Sequence, residues 1–144
     1  MVRYLNELRI IIAGSRDFDN YKVLEDESSK IIEKELNDDI QSIRIISGTA
    51  RGADQLGERF AKKYNYNISC FPAKWGLYGK SAGYRRNAEM AKFAVSNNNV
   101  GILIAFWDSK SKGTKHMIDL ANRYGLKVYV INFNKEKDTY EVQR

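Results

Sequence analysis

Cysteine, histidine and proline each occur once in the 144 residues, and each scarcity excludes something. With Cys70 alone, one chain has neither a disulfide framework nor a multi-cysteine metal site, and with His116 as the only histidine neither a metal site nor a cysteine–histidine nucleophilic pair is expected. No apolar run approaches the roughly 18 residues of a membrane span. The opening segment Met1 to Arg9 alternates charged with apolar residues and reads as neither an export signal nor an anchor. A reducing, cytoplasmic setting without metal, cofactor or membrane partner is therefore expected. Cys70, within Ile68-Ser69-Cys70-Phe71, reads as part of a buried strand, and His116 as a surface residue of a helix.

What the chain does have is basic charge and glycine at particular places. Lys and Arg total 24 against 18 acidic residues, a formal net charge of +6, which favours an anionic partner without separating a phosphorylated small molecule from nucleic acid. Three glycine-bearing turns each follow an apolar run and precede a helical pattern. They are Gly14-Ser15-Arg16, the stretch Gly48-Thr49-Ala50-Arg51-Gly52-Ala53-Asp54, and Ser111-Lys112-Gly113-Thr114. In a parallel sheet such turns emerge together at the carboxyl ends of the strands, where free helix amides and small residues admit a phosphate.

The length fits one domain with a sizeable core. Strands are predicted over 9–13, 42–47, 67–71, 101–106 and 127–131, the first from its β-branched run Ile10-Ile11-Ile12. Helices are predicted over 21–36, 54–64, 84–95 and 114–124, with Asp19 or Asn20 capping the first and Gly125 stopping the last. Right-handed strand–helix–strand units give an α/β fold, a single Rossmann-like doubly wound parallel sheet of about five strands in the order 3-2-1-4-5, with helices on both faces. The ligand crevice then falls where the order reverses, between the Gly14-Ser15-Arg16 turn and the Ser111–Thr114 turn. Residues 1–131 form the domain, and the polar tail 132–144 reads as edge or disordered structure. Pro72 ends the third strand and opens a long turn, 73–83, whose three glycines suggest a lid-like loop.

Several side chains at that edge suit an anionic ligand. Arg16 brings a planar guanidinium beside the hydroxyl of Ser15 and the backbone of Gly14. Gly48, Thr49, Arg51 and Gly52 form a turn whose amides can face an anion. Asp54 either accepts a sugar hydroxyl or caps the second helix. Thr114, after Gly113, either binds phosphate at a helix N-terminus or is an ordinary cap. Lys110, Lys112 and Lys115 surround it, and Asp108 beside a phosphate needs a base edge, a sugar or a cation. Arg85 and Arg86 are about 100° apart on a helix, so one can face the crevice and the other solvent. Trp75, Tyr78 and Trp107 are candidate stacking platforms, with partial core as the alternative.

Read in order, GSRDF, SGTARGAD, FPAKWGLYGKSAGYRRNAEM and AFWDSKSKGT resemble the YspA-type branch of the SLOG superfamily, named for the DprA and Lonely Guy proteins. The resemblance covers about Ile10 to Ile131. It implies a Rossmann-like fold that binds nucleotides or nucleotide-derived signals, and pairing into a homodimer. Lonely Guy enzymes remove the base from a nucleoside monophosphate with an arginine in an Arg-Lys-x-x-Met segment and a glutamate in Pro-Gly-Gly-x-Gly-Thr-x-x-Glu. Arg86-Asn87-Ala88-Glu89-Met90 keeps the arginine and methionine, and Gly113-Thr114 keeps the phosphate turn, but the glutamate position falls on Met117. A thioether cannot do a carboxylate's work in hydrolysis.

The leading expectation is a binding module for a small nucleotide or nucleotide-derived ligand, in which Arg16, Thr49, Arg86, Gly113 and Thr114 hold phosphate and Asp54 or Asp108 meets sugar or base. Asn87 adjoins Arg86 in the same motif and belongs to that binding set. A Lonely Guy-type glycosidase is the alternative, with Arg86 and a substitute carboxylate among Asp54, Glu89 and Asp108. Single-stranded nucleic-acid binding through Trp75, Tyr78 and the basic balance is a third.

Overall fold

A computed structural model describes residues 6–143. Six strands form one sheet in the order β3-β2-β1-β4-β5-β6: β1 (Glu7–Gly14), β2 (Ser42–Ser47), β3 (Asn67–Cys70), β4 (Val100–Trp107), β5 (Lys127–Asn134) and β6 (Thr139–Gln143). The first five are mutually parallel, and β6 runs antiparallel along β5. The order 3-2-1-4-5 expected from the connections is present, and the polar tail adds a sixth strand at the edge. There β5 continues past Ile131 to Asn134, and the chain reverses with Asp138 at positive φ. Every residue of β6 is exposed, which is why its sequence carries no burial pattern.

The isoleucine run of β1 is buried on both faces because side chains alternate across a strand. Ile10 and Ile12 pack with Leu24, Ile31 and Phe60 of helices α1 (Tyr21–Glu35) and α2 (Ala53–Lys63). Ile11 and Ala13 pack on the other face with Met90, Ala91 and Ala94 of α4 (Ala82–Val95) and with Met117 and Leu120 of α5 (Lys112–Arg123). Asn20 caps α1, its side-chain oxygen accepting the Val23 amide at 3.1 Å. The sheet is thus doubly wound, and its order reverses at β1, which pairs with β2 on one side and β4 on the other.

The GSRDF segment is held from below. Phe18 is buried, stacks on Phe106 of β4 at 4.8 Å between ring centroids and meets Phe133 of β5 edge-on at 4.9 Å. That anchor fixes the preceding turn over the ends of β1 and β4. The long turn after Pro72 is not irregular throughout: Trp75–Tyr78 forms a single helical turn, α3, because Lys74 C=O accepts the amides of Leu77 and Tyr78. A 3₁₀ turn over Gly79–Ser81 then leads into α4, which starts two residues before its predicted limit.

Cys70 departs from expectation. It is exposed, because β3 is a short edge strand, exposed at both ends and only half-buried between, instead of being covered on both faces. Among the described residues, no helix is long and apolar enough to cross a membrane, and no group of three or more His, Cys, Asp or Glu side chains could hold a metal ion.

Candidate functional site

A crevice of about 490 Å³ opens over the carboxyl ends of β1 and β4, at the reversal of the strand order. Both turns expected to bound it do so: Gly14, Ser15 and Arg16 line one side, Ser111, Gly113 and Thr114 the other. The two turns are tied together across the switch point. Ser15 N–H donates to the Phe106 carbonyl at 2.9 Å, and Asp108 N–H donates to Ser15 Oγ at 3.2 Å. Gly14 is required at its position, since a Cβ there would lie 2.2 Å from the Phe106 carbonyl oxygen and 2.9 Å from Ala53 Cβ. Close packing of β1 on the N-terminus of α2 therefore depends on the missing side chain.

Asp108 has a local structural task. Its Oδ1 accepts the amides of Lys110 at 2.8 Å and Ser111 at 2.7 Å, closing the loop before α5. Burial works to raise its carboxyl, but these amides and the Ser15 hydroxyl outweigh that and hold it below the ordinary aspartate value. Ser111, not Thr114, caps α5: its Oγ accepts the Thr114 amide at 3.4 Å and lies 3.1 Å from Thr114 Oγ1. Thr114 is buried on the crevice wall as the third residue of the helix. Lys110, Lys112 and Lys115 do not line the crevice, and Lys115 pairs with Asp119 at 3.1 Å.

Arg86 faces inward and Arg85 outward, as helical geometry requires of neighbours. Arg86 Nη1 donates to the Gly48 carbonyl at 2.5 Å and its Nε to Asn87 Oδ1 at 3.0 Å. Asn87 is buried and continues the chain, with Nδ2 at 3.4 Å from the Gly113 carbonyl and 3.2 Å from His116 Nδ1. If the amide donates to Nδ1, the ring proton sits on Nε2, which agrees with a His116 held below its ordinary value by burial. His116 is half-buried and meets Tyr84 edge-on at 4.4 Å, so it is more enclosed than a surface histidine. Arg85 instead lies 4.3 Å over the Tyr78 ring and bonds Ser81 Oγ at 3.1 Å.

Asp54 is 5% exposed, yet it lines the crevice. It is not the cap of α2. Gly52, with φ of 77°, holds that position without a side-chain bond, while Asp54 Oδ2 accepts the Ala50 amide at 3.1 Å from the preceding loop. Burial is the largest influence on its carboxyl and pushes it up to about 6, against the lowering effects of the Ala50 amide and Arg86. Asp54 Oδ1 has no hydrogen-bond partner in the protein among the described residues.

Of the residues singled out from sequence, Arg51, Trp75, Arg86 and Asn87 also line the main crevice, while Gly48 and Thr49 line a smaller chamber beside it. Gly52 and Tyr78 line neither, nor does Trp107, whose indole N–H donates to the Ser111 carbonyl at 3.0 Å. Glu89 is exposed and takes no part in the wall. Lys80, Tyr84 and Met90 were not foreseen. Met90 lies four residues after Arg86 and Met117 three after Thr114, spacings that put each on the same helical face as a foreseen residue.

Thr49 carries a backbone signal of its own. Its φ of 65° lies in the left-handed region, where a β-branched residue is a true outlier and where strain collects at ligand sites. Its amide is fixed by Ser47 Oγ at 3.0 Å.

A doubly wound parallel sheet with a polar crevice at its switch point defines a Rossmann-like α/β protein. The chain belongs to the YspA, cpYpsA-related SLOG family, whose model matches residues 8–78. It is similar to the Gene 61 protein of Mycobacterium phage D29, 30% identical over 130 residues that cover 87% of this chain and 95% of that protein. No solved structure matches the chain. Family membership associates it, at a coarse level, with nucleotide-related ligand binding or glycosidase chemistry.

Proposed function

We propose that this chain binds a nucleotide or nucleotide-derived signalling ligand at the carboxyl edge of its sheet, as a sensor, carrier or sequestering module. The observation that carries this reading is the mixed charge of one crevice. Among the described residues, Arg16 and Arg86 line it without an ion-pair partner, and Asp54 lines it with one oxygen unpartnered. A phosphate neutralises the guanidiniums, and a carboxylate accepts a sugar hydroxyl or a base amino group. Thr49, Gly113 and Thr114 complete the phosphate contacts in this reading, and Trp75, half exposed on the rim, offers a face to a base.

Equilibrium dialysis against a panel of mono-, di- and triphosphate, cyclic and ADP-ribose-type nucleotides tests it, with both compartments read by mass spectrometry. Intact nucleotide concentrated on the protein side is the expected result. No retention of any member at about 1 mM, the weak limit of useful affinity, would overturn the reading.

Hydrolysis is the second reading, and Asp54 is the observation in its favour. A carboxyl titrating at about 6 is suited to give up a proton near neutral pH, and it shares the crevice with Arg86. Met117, at the position of the Lonely Guy glutamate, is buried in the crevice wall and supplies no carboxylate. Free base that appears with the native chain and disappears with Asp54→Asn would favour this reading over simple binding.

A further inference from the structure

The crevice continues into a second lobe. Beside the lobe over β1 and β4 lies one of about 270 Å³ whose walls include Gly48 and Thr49 at the end of β2 and Pro72 and Ala73 beyond β3. The two share Arg16, Ala50, Arg51, Trp75 and Arg86, so they meet along a wall that carries three arginines.

Their charges differ. Asp17, Asp54 and Asp108 line the larger lobe together with its basic residues, whereas the smaller has the three arginines and no carboxylate. None of these arginines belongs to an ion pair among the described residues. At the opposite end of the sheet the same side-chain type is neutralised, since Arg9 and Arg44 both reach Glu7, at 3.0 and 3.2 Å. Burial, together with the like charge of Arg16, outweighs the attraction of Asp54 and lowers the Arg86 guanidinium from its ordinary value. Three arginines gathered in a concave site, with Asp54 the nearest carboxylate and in no ion pair with them among the described residues, form a focus for an anion.

Resting on the nucleotide-binding reading, we infer that the ligand carries at least two linked phosphates, its nucleoside in the larger lobe and its terminal phosphate in the smaller. The carboxylates that can accept sugar hydroxyls are confined to the larger lobe, which sets the orientation. A monophosphate placed in the larger lobe leaves the smaller one without its anion. A second sugar in the smaller lobe finds no carboxylate there, so the distal group is a free phosphate.

The test titrates the purified chain with AMP, ADP, ATP and ADP-ribose, and with the guanine and uracil mono- and diphosphates. Affinity should rise about ten-fold or more from mono- to diphosphate for whichever base binds. Ala73→Glu, which puts a carboxylate into the smaller lobe, should erase that rise while monophosphate affinity stays within about three-fold, and Ala73→Gln, of equal bulk, should retain most of it. Equal affinities for mono- and diphosphate, equal effects of Glu and Gln at position 73, or ADP-ribose binding at least as tightly as ADP would overturn the assignment and leave the nucleotide-binding reading intact. Failure of every probe to bind would overturn both.

Discussion

Arg86 and Asp54 close on the same point from two different helices and do not pair with each other. A Cβ built on Gly48 would sit 2.8 Å from Arg86 Nη1 and 2.8 Å from Asp54 Oδ2, yet the arginine bonds the Gly48 carbonyl and the aspartate the Ala50 amide. The loop after β2 is therefore clamped by two opposite charges. Each retains hydrogen-bonding capacity toward the crevice.

Arg86→Ala should weaken nucleotide binding by about ten- to a hundred-fold, the range expected for losing hydrogen bonds to a charged group. Arg85→Ala should change it by less than about three-fold, because Arg85 is exposed and engaged with Tyr78 and Ser81. Isothermal titration of the two variants compares them directly, and equal losses would remove Arg86 from the site.

Gly48→Ala should act like a partial removal of Arg86. Its methyl group must displace the guanidinium or the carboxylate, at a stability cost of about 1–3 kcal/mol for an overpacked site. Gly113→Ala, in the main crevice with open space around its Cβ, should leave thermal stability within about 0.5 kcal/mol. Paired melting curves check this contrast.

Asp54→Asn should stabilise the protein at neutral pH. The folded carboxyl titrates at about 6 against 3.8 for the free side chain, so the folded state binds this proton more tightly than the unfolded one. Stability from this group is fully present below about pH 4 and is lost as pH rises through about 6. At pH 7.5 the ionised side chain then costs up to about 3 kcal/mol. The asparagine variant should melt higher than native at pH 7.5, with the gain vanishing toward pH 4. A constant difference across that range would contradict the buried, unpaired state of the carboxylate.

Asn87→Ala should weaken nucleotide binding without removing any charge. The amide holds Arg86 Nε at 3.0 Å and joins it to His116 and the Gly113 carbonyl, so its loss frees the guanidinium to sample other rotamers. We expect about a five- to twenty-fold loss of affinity, smaller than for Arg86→Ala, and additional loss in the double variant smaller than the sum of the two. Full additivity of the free energies would mean the two residues act independently.

The local pattern determined much of this protein. β-Branched runs, helical spacing and glycine at strand exits are short-range signals, and they were sufficient for the five parallel strands, their order and a crevice between the Gly14 and Gly113 turns. Even the division of Arg85 from Arg86 follows from 100° per residue. The sixth strand escaped because an exposed edge strand has no buried face to mark it, and the exposure of Cys70 escaped because its sequence does not tell an edge strand from a central one.

Tertiary structure decided the rest. It separated Trp75, on the crevice, from Tyr78, beneath Arg85, although both sit on one helical turn. It made Ser111 the cap, freed Asp54 from capping and buried it, and divided the cavity into a lobe with carboxylates and a lobe without them. These properties depend on partners far along the chain. Gly48 and Arg86 are 38 residues apart, and Ser15 and Asp108 are 93. Burial and electrostatic field are sums over everything that folding brings near, so a sequence window can nominate a charged residue but cannot say whether it will be paired, hydrated or left facing a ligand.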